Sequence, residues 1–340
     1  MKTFLCPHCQ NKVYFESVSC VRCRQSFGFS ATTMAMTTVG AVAVGSKPPA
    51  QRHELCANAV HQVCNWVTRV DDANRLCLAC DLNRTIPNLS EAGGLAAWRD
   101  LERAKKRLIY SLLRLGLPLG NGPDDMNPLT FDFARNTITG HINGVITIDV
   151  IEADAVERER LRQHFGEPYR NLLGHLRHEC GHFYWMSLVE QSSLLLPFRK
   201  LFGDEQQDYQ TALSSYHSSQ PRPDWQAHFV SPYSSAHPWE DWAETWAHYL
   251  HMTDAVDTAE AEGMEPRAAG LSLGSIWPFK KYDVYRDQSF GSLMDRWIPL
   301  TIAMNSMSRS MGHADFYPFV ITAAVYEKLA FVHRAIHSRK

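Results

Sequence analysis

The first 80 residues carry eight of the nine cysteines, in two groups of four, and no other feature restricts the possible fold so tightly. Cys6 and Cys9 stand two residues apart, as do Cys20 and Cys23, with ten residues between the pairs. Each C-x2-C turn presents two thiolates to one tetrahedral metal, so this is zinc-ribbon spacing. Residues 1–30 hold too few apolar groups for a core of their own, and a structural zinc supplies the missing folding free energy. Val13-Tyr14-Phe15 between the knuckles is strand-like. Cys56, Cys64, Cys77 and Cys80 form the second group, C-x7-C then C-x2-C, and predict a second structural zinc. The competing use of these cysteines is in disulfides. No signal peptide precedes Met1-Lys2-Thr3-Phe4, so a reducing cytoplasm is expected, where thiolates stay available for metal. Cys180 is left over and reads as a small buried residue.

The pattern predicts four segments: a zinc ribbon over 1–30, a linker over 31–52, a second four-cysteine zinc-binding module over 53–90, and one large domain over 91–340. The linker is small-residue sequence closing in Lys47-Pro48-Pro49. Its run from Ala31 to Val44 is too short and too weakly apolar to span a membrane, so no membrane partner is expected. Residues 1–90 hold nine Lys/Arg and five Asp/Glu, a net of +4, and the whole chain is at −2, leaving −6 for the rest. Nucleic acid is an alternative partner of the ribbons, and a solvated surface explains the same charge.

His178-Glu179-Cys180-Gly181-His182 reads H-E-x-x-H. Residues four apart lie one turn apart on one helix face, so both imidazoles can reach one metal. Glu179 lies about 100° round the helix, placed to act as general base on a metal-bound water. Leu172, Leu173, Leu176, Cys180, Phe183, Tyr184 and Leu188 give the segment helical periodicity, starting near Pro168. Gly181 inside a helix costs about 1 kcal/mol relative to Ala, which points to a close approach by a neighbour. A catalytic zinc takes three protein ligands and keeps a fourth position open. The segment from His237 to His251 offers the third. Trp239, Trp242, Trp246 and Tyr249 form one stripe, and His237, Glu240, Glu244, His248 and His251 form another, about 200° away. On residue types alone the ligand stays open among Glu240, Glu244 and the off-stripe Asp241. Oxyanion donors are equally open among His237, His248, Tyr233 and Tyr317.

The remaining chain predicts helices over 95–115, 152–163, 293–307 and 319–333, and two short strands within Asn136–Ile148 joined by a Gly-containing turn. Ile146-Thr147-Ile148 is the expected edge strand for an extended peptide substrate. Asp204, Glu205 and Asp208 read as a solvated helix start, and 262–290 as irregular. Helices dominate over a few strands, so the expected class is α+β: a mostly helical zincin-like domain with a small edge sheet, preceded by two small four-cysteine zinc-ribbon modules.

Glu240, Ala243 and Glu244 resemble the E-x-x-A-acid pattern of gluzincin metallopeptidases. That resemblance implies Glu240 as third ligand, Glu244 as the group that hydrogen-bonds a ligand histidine, and Ala243 as the small residue that admits close helix packing. The shifted set Glu244, Ala247 and His248 has the same spacing and keeps Glu244 open as an alternative ligand. From end to end the chain resembles bacterial zinc-binding metallopeptidases with an N-terminal zinc ribbon. The likeness rests on both cysteine quartets, Leu82-Asn-Arg-Thr-Ile-Pro87, Thr139-Gly-His-Ile-Asn-Gly-Val-Ile-Thr-Ile148, Gly166-Glu-Pro-Tyr-Arg170, the H-E-x-x-H and His237-Pro-Trp-Glu-Asp-Trp-Ala-Glu-Thr-Trp-Ala-His248. It implies a gluzincin-like fold and a hydrolase with one catalytic and two structural zinc ions. A zinc peptidase acting on protein or peptide is the expected function, with the ribbons recruiting or binding substrate. A nucleic-acid-associated protease and a non-enzymatic zinc adaptor are the alternatives. Salt-dependent DNA binding by residues 1–90 separates the first, and indifference to Glu179→Gln the second.

Overall fold

A computed structural model describes residues 3–40, 52–71, 73–120, 127–165, 171–218, 222–264 and 282–338. The expected helix start at Pro168, the linker stretch 41–51 and most of the irregular 262–290 lie outside the described residues. The chain forms two compact units, Met1–Leu173 and Gly174–Lys340. Its class is α+β.

The first unit begins with two antiparallel hairpins, β1 (Phe4–Leu5) with β2 (Lys12–Val13) and β3 (Phe27–Ser30) with β4 (Ala35–Thr38). The strand Ala35–Thr38 corrects the linker expected over 31–52, because these residues complete the ribbon's second hairpin. Another hairpin, β5 (His53–Leu55) with β6 (Val67–Arg69), and the short α1 (Leu78–Asp81) frame the second cysteine group. β7 (Asn83–Thr85) leads to the long α2 (Gly94–Leu115), which ends at Gly116 in the left-handed region.

β8 (Thr130–Ala134), β9 (Gly140–Ile142) and β10 (Val145–Asp149) complete a four-stranded sheet of order β7-β8-β10-β9. β8 pairs in parallel with β7 and β10, and β9 pairs antiparallel with β10. Asn143 and Gly144, at φ of 48° and 83°, make the left-handed two-residue turn that a β9–β10 hairpin needs. The order also corrects the edge-strand expectation. Ile146-Thr147-Ile148 lies inside the sheet between β8 and β9, and β7 and Gly140–Ile142 form the two edges. A period-2 pattern identifies a strand but not its neighbours. α3 (Ala155–Phe165) closes the unit.

The cysteine modules do not stand apart from this unit. Phe15 and Phe29 of the ribbon pack with Trp66 of the second module and Tyr110 of α2, at ring-centroid distances of 4.7 to 6.1 Å. α2 also buries a charged cluster. Glu102 accepts from Lys105 at 2.8 Å and Lys106 at 2.7 Å, and Lys106 donates to Val63 O at 2.8 Å. The expected boundary at 90/91 therefore runs through one packed core.

The second unit is helical: α4 (Leu172–Trp185), whose first residues belong to the other unit, a π-helical turn over Met186–Glu190, α5 (Leu195–Phe202), α6 (Tyr209–Ser218), the single-turn α7 (Trp225–His228), α8 (Pro238–Glu262), α9 (Phe290–Ser310) and α10 (Ala323–His337). α8 is its axis. Trp242 packs against Phe198 and Phe202 of α5 and Phe331 of α10. Asp241 is ion-paired with Lys328 of α10 at 2.6 Å. Among the described residues no helix is long and apolar enough to cross a membrane.

Candidate metal centre

Leu176, Cys180 and Tyr184 lie one turn apart on α4 and are fully buried, which fixes the helix in rotation and turns His178 and His182 to the other side. α8 starts where the sequence marks it. His237 is the N-cap, its Nδ1 accepting from Trp239 N at 3.1 Å, and Pro238 opens the first turn. The two helices meet at Gly181. A Cβ there would lie 2.9 Å from Ala243 Cα, so two small residues set the crossing. Trp242 and Trp246 lock it: the Trp242 indole donates to Gly181 O at 2.8 Å, and the Trp246 indole to Cys180 Sγ at 3.2 Å. Cys180 is thus a buried thiol, pushed up to about 12 by that burial.

This crossing brings His178, His182 and Glu240 together. Their ligand atoms lie within 4.8 Å of one another. His178 Nε2 is 3.0 Å from Glu240 Oε2, and His182 Nε2 is 3.7 Å from Glu240 Oε1. A tetrahedral zinc with ligand bonds of about 2.1 Å has edges of about 3.4 Å, and three ligand atoms within 4.8 Å of one another lie within a small side-chain adjustment of it. Glu244 approaches from the other side of the His178 ring, Oε1 to Nδ1 at 2.8 Å, and its Oε2 accepts from Ser231 Oγ at 2.7 Å. The two carboxylates are therefore not equivalent: Glu240 faces Nε2 of both histidines, and Glu244 meets the opposite ring nitrogen of one.

The electrostatics fit a cation. Burial opposes a positive charge on His178, but Glu240 and Glu244 outweigh it and hold its pKa well above the usual range. Burial likewise opposes charge on the carboxylates, yet His182, His178 and Tyr209 hold Glu240 far below its usual value, and His178 brings Glu244 down to about 2. Glu179 is buried on the same helix. Its negative charge reaches Tyr209 and Tyr233, whose hydroxyls are pushed well up by burial and by Glu240.

Other members of the stripes lie elsewhere. His237 caps α8, and its Nε2 donates to Gln207 O at 3.2 Å. His248 Nδ1 is bonded to the Tyr317 hydroxyl at 2.6 Å, so these two satisfy each other. Tyr233 alone of the four oxyanion candidates stays beside the cluster, its ring 6.0 Å from that of His178. Sequence reasoning missed Tyr209 and Ser231. Tyr209 donates to Glu240 Oε1 at 2.6 Å. Both residues precede or begin short elements with no periodicity to mark them.

The first unit holds both cysteine clusters. Cys6, Cys9, Cys20 and Cys23 converge, as do Cys56, Cys64, Cys77 and Cys80. Neighbouring sulfurs are 3.6 to 3.7 Å apart and none is in a disulfide. Zinc–sulfur bonds of about 2.3 Å give tetrahedral edges of about 3.8 Å, so both clusters fit zinc. Backbone amides of Trp66 and Cys77 donate to Cys64 and Cys56 sulfur, each at 3.4 Å.

Residues 3–91 match the model of a zinc-ribbon domain, and residues 94–335 match that of a family described as "Putative zinc-binding metallo-peptidase". Uncharacterized proteins of Mycobacterium bovis and of two strains of Mycobacterium tuberculosis are each 41% identical over 342 residues, covering 99% of this chain and 95% of their own. No solved structure matches. With two four-cysteine clusters, a two-histidine, one-carboxylate cluster and a family match over residues 94–335, the chain belongs to the family so described, with a zinc-ribbon domain over residues 3–91.

Proposed function

We propose that the protein is a zinc-dependent peptidase of gluzincin type, with His178, His182 and Glu240 as ligands of a catalytic zinc. The observation that carries the reading is the convergence of three ligand atoms from α4 and α8 beside Glu179. Zinc held there supplies an acidified water, with pKa lowered towards about 7, and polarises the scissile carbonyl. Glu179 takes the proton of the attacking water and passes it to the leaving amine. Glu244, itself held by Ser231, fixes the tautomer and tilt of His178. Tyr233, whose ring lies 6.0 Å from that of His178, is the candidate donor to the oxyanion in this reading. The substrate is a protein or peptide. The ribbon zincs are structural and stabilise the unit that contains the sheet.

Zinc per chain, measured on the wild type and on His178→Ala/His182→Ala, tests the centre. Three clusters predict three ions falling to two. Two ions in both proteins would remove the chemistry and leave an adaptor. In a peptide-cleavage screen Glu179→Gln should keep all three ions and lose roughly 100-fold or more in rate.

A further inference from the structure

One hydroxyl at the centre has no part in the steps above. Tyr209 donates to Glu240 Oε1 at 2.6 Å, and Glu240 is only 1% exposed. A carboxylate that binds zinc through one oxygen keeps lone pairs on the other. Where water is excluded, that oxygen needs a protein donor, because an unsatisfied buried acceptor is costly. His178 already has its own support in Glu244 and Ser231. Tyr209 stands in the equivalent relation to Glu240.

The phenol is held in place. Its ring lies edge-on to His237, centroids 5.1 Å apart, and 5.8 Å from Trp239, so it is wedged against the first turn of α8, the turn that carries Glu240. The preceding loop is tied down on both sides. Gln207 O accepts from His237, and Glu205 is ion-paired with Arg199 of α5 at 2.5 Å. Asp208 Oδ1 accepts from Thr211 N at 2.7 Å and so starts α6 at Tyr209. A phenol, with an ordinary pKa of about 10, keeps its proton at neutral pH and is a donor.

We infer that Tyr209 is a positioning residue of the metal centre, whose hydroxyl holds Glu240 in one-oxygen coordination and thereby sets zinc affinity and geometry at the histidine site. This rests on the proposed catalytic zinc. Loss of the hydroxyl removes the 2.6 Å donor from a buried carboxylate oxygen and lets Glu240 turn towards two-oxygen or no coordination. The ring contacts with His237 and Trp239 survive in Phe, so Tyr209→Phe separates the hydroxyl from the packing.

The test is zinc competition against a chelator on the full chain, counted per chain. In Tyr209→Phe one zinc of three should bind about 10- to 100-fold more weakly while the two tetrathiolate zincs are unchanged. The kcat for a cleaved peptide should fall, with KM within about twofold, as expected for a group that acts through the metal. In a Glu240→Gln background Tyr209→Phe should add no further loss, because the coupling runs through that carboxylate. Tyr209→4-aminophenylalanine, which keeps a para donor, should restore affinity. Three zincs with the histidine-site affinity unchanged in Tyr209→Phe overturns the role alone, as does an equal further loss without Glu240. A wild type that binds only two zincs removes the proposed function and the role together.

Discussion

Gly181 shows how a single residue can satisfy a tertiary demand against its local preference. In an exposed helix Gly→Ala stabilises by about 1 kcal/mol. Here the added methyl meets Ala243 Cα at 2.9 Å, and Trp246 packs the remaining side at 3.3 Å. Gly181→Ala should therefore destabilise, by roughly 1 to 3 kcal/mol, as overpacking does. Denaturant unfolding reads the sign directly, and a gain in stability would refute the close crossing. His248 offers a pH test. Burial lowers its pKa to about 4, from the ordinary 6.5, and its Nδ1 is bonded to Tyr317. The unfolded chain then binds the proton more readily than the native state. His248 stabilises fully above pH 6.5, and that contribution fades as pH falls from 6.5 towards 4. The shift corresponds to about 3 kcal/mol. His248→Gln should flatten the dependence of unfolding free energy across that window. At this scale the H-E-x-x-H and the cysteine knuckles are legible in the sequence, since their ligands are neighbours along the chain. Tyr209 and Ser231 are not, because each reaches its carboxylate only after two distant segments fold together.

At the level of elements, α2 carries the clearest commitment. Its periodic apolar residues predict the helix, but not that Glu102, Lys105 and Lys106 are buried with it. Burial opposes the charge of Lys106, yet Glu102 and the thiols of Cys64, Cys80 and Cys77 outweigh it and push its pKa up. A zinc tetrathiolate has a net charge of −2, and Lys106 is the cation beside it. Lys106→Met removes one partner of Glu102 and the donor to Val63 O. It should cost roughly 3 kcal/mol of stability. It should also speed zinc loss from the Cys56, Cys64, Cys77, Cys80 cluster relative to the Cys6, Cys9, Cys20, Cys23 cluster. Equal release rates from the two would argue against the charge-partner role. The sheet teaches a different lesson. β8 and β10 share one alternating burial pattern, and nothing in either segment says which is the inner neighbour of β9. Pairing order is decided by the β9–β10 turn and by the parallel contact of β8 with β7.

For the whole molecule, the packing units cut across the segments read from composition. Phe15 and Phe29 cover Tyr110 of α2 and pack on Trp66, and β7 forms one edge of the sheet. A chain beginning at residue 91 loses all of these. It should expose the α2 face and aggregate or show fast amide exchange through α2 and β8, rather than behave as a freestanding enzyme. A soluble, well-protected fragment would show that the cysteine modules are dispensable to that core. Chelation of the ribbon zincs in the full chain should loosen the same elements. The sequence by itself marked the two cysteine quartets, the histidine pair, the helical frame of α4 and α8, and the α+β class, because short spacings and amphipathic period are properties of a few consecutive residues. Only the tertiary structure decided that Glu240 rather than Glu244 faces both histidines, that Tyr209 backs it, that Gly140–Ile142 is an edge strand, and that the ribbons share a core with α2. Each of these depends on how distant segments pack, and packing selects among arrangements that local pattern leaves equal.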